Sequence, residues 1–429
     1  MSARSLRRPA LPHSAPAGLP RLLAGAHADG TPTNLREHLE RYGAPPIRAA
    51  VRLAQLADAG GLCGRGGAGF PTGTKLAAVA RQPKQPIVVA NGTEGEPASA
   101  KDKTLLRLVP HLVLDGAALA AAAVGADEAI VAVGATARHE LKAVHAALAE
   151  RRHARVDRVA LKLVAAPDSF VGGEETALVS WLDNGPPKPT FTPPRPFERG
   201  VRGRPTLVQN VETLANLALL ARFGPDWFRT VGTRDEPGSV LVTLVGAVRS
   251  PGVYELAIGT PLREVVRVAD GVTERISAVL AGGYFGSWIP ADDAARIALT
   301  DADLRTVGAS LGARTMALLP ATTCGVLETA RIARWLAAES AGQCGPCVHG
   351  LAAVSGALER LARRQGDDER LPRWLDLVEG RGGCAHPDGA VRFVRSARQV
   401  FAHEFELHAA GRCSGGGRPV LPLPERRRR

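Results

Sequence analysis

The stretch GLCGRGGAGFPTGTKL, Gly61 to Leu76, decides how the first half of the chain is read. It matches G-x-G-x-x-G at Gly64, Gly66 and Gly69, the spacing with which dinucleotide-binding folds bring backbone against a pyrophosphate. That fingerprint normally follows a strand, whereas the preceding PIRAAVRLAQLADAG has helical periodicity. A P-loop is excluded as well, because Lys75 does not directly follow a glycine in G-x-x-x-x-G-K. What remains is a long loop of six glycines closed by a lysine at a helix start. Such a loop offers backbone N–H groups and one cation to a phosphate or to the flat edge of a ring system. A flexible surface loop explains the glycines but not Phe70, Pro71 and Lys75 among them.

Outward from the loop the pattern alternates. PIVVAN, EAIVAVGA and VALKLVAAP read as strands, separated by the helical LVLDGAALAAAAVG and RHELKAVHAALAERR. Alternating strands and helices predict an α/β domain with a largely parallel sheet over residues 46–235. Residues 1–45, rich in Pro, Ala and Arg, are expected to be a loose arm with one short helix at TNLREHLERYG. From 236 to 320 the texture becomes two strands around a Ser-Pro-Gly turn, the helix TPLREVVRVADG and the strand ISAVLAGGYFGSWI, a small β-grasp-like module. Residues 321–415 read as helices, and 416–429 as a basic tail.

Composition narrows the function. The 429 residues carry a formal charge of +12, yet aromatics are only 4% and no basic-aromatic stripe occurs, so nucleic-acid binding is not expected. A basic surface equally steers anionic partners. Only seven of the 54 basic residues are lysine, and Lys75, Lys101 and Lys103 fall inside the glycine loop and the segment that follows it. No apolar run is long enough for a membrane span, and no signal peptide is apparent, so a cytoplasmic location is expected. Six cysteines in such a chain favour metal or redox use over structural disulfides.

Three further segments cluster polar residues at places where ligands bind. VVANGTEGEPASAKDKTLL gathers Asn91, Glu94, Glu96, Lys101 and Asp102 after a strand end. FVGGEETALVSWLDNG puts Glu174 and Glu175 at a helix start, where they could simply complement the helix dipole. GRPTLVQNVETLAN holds Gln209, Asn210, Glu212 and Asn216, able to bind a ligand or to cap a helix.

In this order, GRGGAGFPTG.K, N..E.EP...KD, GGEETAL and NVETLAN, followed by a C-terminal cysteine region, resemble the FMN- and NADH-binding flavoprotein subunit of respiratory complex I and the related diaphorase subunits. The resemblance runs from about residue 46 to 410. It implies a Rossmann-like FMN-binding domain, a β-grasp (SLBB-like) domain and a helical iron–sulfur domain. It implies that Gly64, Arg65, Gly66, Lys75, Asn91, Glu94, Gly173, Glu174, Asn210 and Thr213 hold FMN, with Lys75 near its phosphate. Glu96 and Glu175 fall where the family meets the ribose and nicotinamide of NAD(H), and Phe70 and Phe191 where it stacks on adenine. The chain departs from the family at Thr93, Phe170, Gln209, Leu76 and Ala78, most of them near the dinucleotide.

The cysteine region departs too. The family reads E-S-C-G-x-C-x-P-C with a fourth cysteine about 40 residues on, for a [4Fe–4S] cluster. Here ESAGQCGPC supplies Cys344 and Cys347, Cys384 follows 37 residues later, and Ala341 stands at the first position. Cys413 is taken as the fourth ligand, ahead of Cys324, His349 and His386; an open iron site and loss of the cluster are the alternatives. Zinc fits this run less well, since structural zinc sites pair two C-x-x-C or C/H units. The reading is therefore an NAD(P)H-oxidising flavoprotein electron-transfer subunit. It would pass electrons from FMN through a [4Fe–4S] cluster to a ferredoxin-like or membrane redox partner, within a hetero-oligomer. The alternative is a degenerate flavin-binding or docking scaffold.

Overall fold

The computed structural model describes residues 18–366 and 369–424. Residues 1–17 of the arm and 425–429 of the basic tail lie outside the described residues.

The α/β domain is built on four parallel strands, β1 (Ile87–Gly92), β2 (Glu128–Gly134), β3 (Ala160–Ala166) and β4 (Thr206–Asn210), in the order β3-β2-β1-β4. The sequence pattern identifies the first three. It misses β4, a five-residue strand in the segment read above as a cap or ligand site. β4 matters because its register sets Asn210 beside Asn91 at the carboxyl ends of adjacent strands. The apolar Pro110–Val124 helix is the core helix of the domain and packs against Val211–Phe228. Their crossing is close: a Cβ at Gly116 would lie 2.0 Å from the Leu214 carbonyl oxygen. No single helix among the described residues is long and apolar enough to cross a membrane.

The second sheet has the order β6-β5-β9-β7-β8, from β5 (Ser239–Gly246), β6 (Gly252–Ala257), β7 (Ile276–Ala281), β8 (Ser287–Pro290) and β9 (Thr315–Pro320). β5 and β9 run parallel and the other pairs antiparallel, the mixed pairing of a β-grasp. ISAVLAGGYFGSWI, expected as one strand, is the β7–β8 hairpin. Gly282 and Gly283 turn it with φ of 92° and 81°, a region side chains rarely adopt.

Helices Gly325–Ala338, Leu351–Ala362, Leu371–Val378, His386–Val400 and Ala402–Ala409 complete the chain. The last two, read as one run from sequence, break at Phe401. A single π turn, Pro346–Gly350, precedes the second of these helices and carries Cys347.

The domains are stitched together. The arm is not loose over its described part: the Arg21, Leu22 and Leu23 amides donate to the Glu255 carboxylate on β6 at 2.9–3.0 Å. Arg21 is itself buried, its guanidinium donating to the Phe228 carbonyl. Glu212 accepts from the Leu241 amide on β5 at 3.0 Å, and the Ala100 amide donates to Thr243 at 3.1 Å. At the other end, residues 420–422 are packed rather than tail-like. Leu421 is buried in the helical core, and the Val420 amide donates to Glu328.

Candidate functional site

The carboxyl ends of β1 and β4 face the glycine loop. Cys63 bridges to Pro71 and the Gly64 amide donates to the Phe70 carbonyl at 2.8 Å, closing residues 64–70 into a compact turn. The loop is fixed from below. The Arg65 amide donates to Thr213 Oγ1 at 2.8 Å, and Arg314 donates to the Arg65 and Gly64 carbonyls at 2.5 and 3.2 Å. Gly66, Gly67 and Ala68 remain exposed above this anchor. Gly66 packs closely on Asn210: a Cβ there would lie 3.2 Å from Asn210 Cβ. Burial, with Arg314 alongside, lowers the Arg65 guanidinium to about 10.

Beneath the loop lies a buried charge network. Lys101 Nζ is 2.7 Å from Asp102 Oδ1 and 2.9 Å from Glu212 Oε2, while Asn210 Nδ2 donates to Asp102 Oδ2 at 2.7 Å. Burial pushes the Asp102 carboxyl up to about 6, against the pull of Lys101. Arg314 has no signal in the sequence, since its role appears only when the β-grasp domain folds back on a loop some 250 residues earlier.

The expected ligand residues divide into two groups. Several act as structural caps. Glu174 accepts from the Thr176 and Ala177 amides, Asn210 from the Glu212 amide, and Asn91 donates to the Gly173 carbonyl. Glu94 turns inward, its carboxylate accepting from the Ser99 hydroxyl and from the Asp102 and Lys103 amides. The other group is open. Lys75 and Glu175 pair at 2.8 Å, both side chains half-buried. Phe70 and Phe191 are 53% and 89% exposed, unusual for phenylalanine and apt for stacking on a planar ligand. Glu96 lies between, its carboxylate accepting from the Tyr284 and Ala98 amides at 2.8 and 3.2 Å. Burial raises its pKa to about 7. This donor set fits a flat phosphate-bearing cofactor: exposed glycine backbone at strand ends, one lysine, flanking carboxylates and two bare aromatic faces.

The thiols Cys344, Cys347 and Cys384 converge beyond this cleft. Cys344 engages the Gly383 backbone and the Cys347 thiol, and Cys347 is raised by burial and by Cys344 and Cys384. The Ser340 hydroxyl bonds Cys347, while Ala341 is buried and offers no donor. Three thiols at this spacing fit three corners of an iron–sulfur cluster. Phe170 joins the two regions: its amide donates to Glu339 at 3.0 Å, and its ring packs edge-on against Phe285, Trp335 and His386.

Cys413 is not part of this corner. It lies with Cys324, Glu404 and His408 in a separate cluster, because the chain after Ala409 returns to form a parallel bridge between Thr323 and Gly416. His386 engages the Leu336 carbonyl through Nε2 at 2.8 Å, while its buried Nδ1 has no hydrogen-bond partner.

Comparison with known proteins agrees with this layout. Residues 57–219 match the Nuo51 FMN-binding domain, 241–283 the SLBB domain, and 328–408 the NADH-ubiquinone oxidoreductase-F iron–sulfur binding region. The corresponding NADH-quinone oxidoreductase subunit of Mycobacterium tuberculosis is 34% identical over 388 residues, covering 84% of each chain. Its Rhizobium meliloti counterpart is 32% identical over 403 residues, covering 90% of this chain and 94% of its own. A chain of NAD+-reducing [NiFe]-hydrogenase in the H2-reduced state superposes with a TM-score of 0.79 at 31% identity; the match covers 86% of this chain and 63% of that one. With an FMN-binding domain, an SLBB domain and an iron–sulfur region in this order, the chain belongs to the family of FMN-binding, iron–sulfur subunits of NADH-quinone oxidoreductase.

Proposed function

We propose that this chain is the NADH-oxidising subunit of a hetero-oligomer, using FMN and an iron–sulfur cluster to deliver single electrons to a ferredoxin-like or membrane redox partner in the cytoplasm. The observation that carries the reading is the exposed glycine loop with the Lys75–Glu175 pair and bare Phe70, together with three convergent thiols reached through Phe170. FMN, when bound, converts a two-electron hydride into single electrons. The chain's own residues bind and orient. Gly66 and Gly67 let backbone approach the ligand, Lys75 supplies the phosphate cation, and Glu175 and Glu96 flank the nicotinamide end. Phe70 and Phe191 offer their faces to adenine. Asn91, Glu94, Gly173, Glu174, Asn210 and Thr213 act one step back, holding the strand ends and helix starts that shape the cleft.

Cys344, Cys347 and Cys384 would hold the cluster, with Ala341 leaving one iron without a protein thiolate. The names of the relatives, oxidoreductase subunits and an NAD+-reducing hydrogenase, support the reaction and the need for a partner. The test is anaerobic purification, with FMN, iron and sulfide measured per chain and EPR recorded before and after NADH. Stoichiometric FMN bleached by NADH, with about four irons and an NADH-induced cluster signal, is the expected result. Flavin untouched by NADH would replace the enzyme with a scaffold, and flavin without iron would remove the cluster.

A further inference from the structure

Cys324, Glu404, His408 and Cys413 lie apart from the glycine loop and the cluster thiols, and the two cysteines fall outside residues 328–408 matched to the iron–sulfur region. Their ligand atoms all lie within 4.8 Å of one another. Cys324 Sγ is 3.3 Å from His408 Nε2 and 3.7 Å from Glu404 Oε2, and the Cys413 thiol engages Cys324. We propose that these four side chains bind one zinc ion.

The geometry around each donor supports a built site. His408 is fully buried and its Nδ1 lies 3.0 Å from the Leu361 carbonyl oxygen. A carbonyl only accepts, so Nδ1 carries the ring proton and Nε2 presents its lone pair to the two sulfurs, the tautomer a metal-bound histidine needs. Glu404 sits four residues before His408 on the Ala402–Ala409 helix and so shares its face. Ser414 holds the Glu404 carboxylate through both its hydroxyl and its amide. Cys324 is buried at the start of the Gly325–Ala338 helix, whereas Cys413 and Glu404 are half-buried and leave an entry path. The backbone keeps the cysteines together: the Cys324 amide donates to the Gly416 carbonyl at 3.1 Å, and the Gly416 amide to the Thr322 carbonyl at 2.6 Å. A Cβ at Gly415 would stand 2.7 Å from the Cys324 nitrogen, so only glycine permits that approach.

The donor chemistry selects the ion. Two thiolates, an imidazole and a carboxylate complete a tetrahedron for zinc. Mg²⁺ and Ca²⁺ require oxygen ligands, and four donor atoms all within 4.8 Å of one another converge on a single ion rather than dividing between the two irons of a [2Fe–2S] cluster. Binding displaces one proton from each thiol, so Zn²⁺ plus two thiols gives the dithiolate complex and two protons. The ion would clamp the segment after Ala409 to the start of the helix that runs to Ala338, just before the cluster loop.

The test is zinc per chain by mass spectrometry on full-length protein purified anaerobically without a histidine tag, with zinc K-edge absorption. The expected result is about one zinc with two sulfurs at about 2.3 Å and nitrogen and oxygen at about 2.0–2.2 Å. Cys413→Ser and His408→Asn should each lower the zinc at least tenfold and leave iron per chain unchanged. His408 is deeply buried, so Cys413→Ser, at a half-buried position, is the deciding variant, with circular dichroism and elution volume reporting its fold. The zinc count does not depend on NADH turnover, so the failure of either reading is visible without the other. Wild-type protein without zinc, zinc retained in Cys413→Ser, iron in place of zinc, or an anaerobically persistent Cys324–Cys413 disulfide would each overturn the proposal.

Discussion

Replacing Glu96 by glutamine tests whether the α/β and β-grasp domains meet through a buried, titrating carboxylate. Burial raises Glu96 from 4.5 to about 7, even though the Tyr284 and Ala98 amides donate to it. Between those two values the folded state binds more protons than the unfolded state. The stability gained from the protonated form is therefore complete below 4.5 and is lost as pH rises through 7. At about 1.4 kcal/mol per pH unit, wild-type protein should lose about 2–3 kcal/mol relative to Glu96→Gln between pH 5 and pH 8. Glutamine can accept from only one of the two amides through its carbonyl oxygen, which adds a constant cost of about 1 kcal/mol without a pH slope. Urea unfolding of both proteins at pH 5, 6, 7 and 8 reads the difference directly. Parallel pH dependences would refute the argument, because a carboxylate that titrates normally in the folded protein gives no differential slope over this range.

Three other perturbations follow from the site. Ala341→Cys should slow cluster loss in air by giving the fourth iron a protein thiolate, read by iron and sulfide assay over time; an unchanged rate of loss would mean that position does not face the cluster. Lys101→Met removes the cation between buried Asp102 and Glu212 and should cost about 3–5 kcal/mol, measured by urea unfolding at pH 7. Phe191→Ala should leave stability unchanged, since the ring is 89% exposed, but raise the KM for NADH about two- to tenfold for a lost stacking contact. A steady-state titration decides it, and an unaltered KM would take Phe191 out of the dinucleotide site.

The glycine loop, three of the four parallel strands and the helical character of the carboxyl-terminal region were legible because each is a local pattern. β4 was not, because TLVQN is short and its polar end reads equally well as a cap. Arg314 depends on a contact between segments 249 residues apart, and Glu94 turns inward to amides eight and nine residues on through loop geometry, neither of which a periodicity encodes. Cys413 shows the limit of counting residues. It is a candidate for the ligand missing at Ala341 only as one of the remaining cysteines, and the Thr323–Gly416 bridge carries it to Cys324 instead. Asn210, readable from sequence as a cap, does cap its helix, and Glu174, readable as complementing a helix dipole, caps one as well; a residue can cap a helix and thereby shape a site.

The Glu255 carboxylate, which gathers three consecutive amides from Arg21 to Leu23, has a bearing on the order in which the protein assembles. The segment that seats Leu22 in the α/β core is answered by a residue 233 positions later. Such long-range closure is slow, and during synthesis the amides of residues 21–23 have no partner until β6 has been made. Glu212 likewise waits for Leu241, and Ala100 for Thr243. The α/β domain begins the chain's described fold, but it cannot finish folding before the β-grasp sheet. A fragment ending near residue 235 would keep the strands of the parallel sheet while losing the partners of residues 21–23, Ala100 and Glu212.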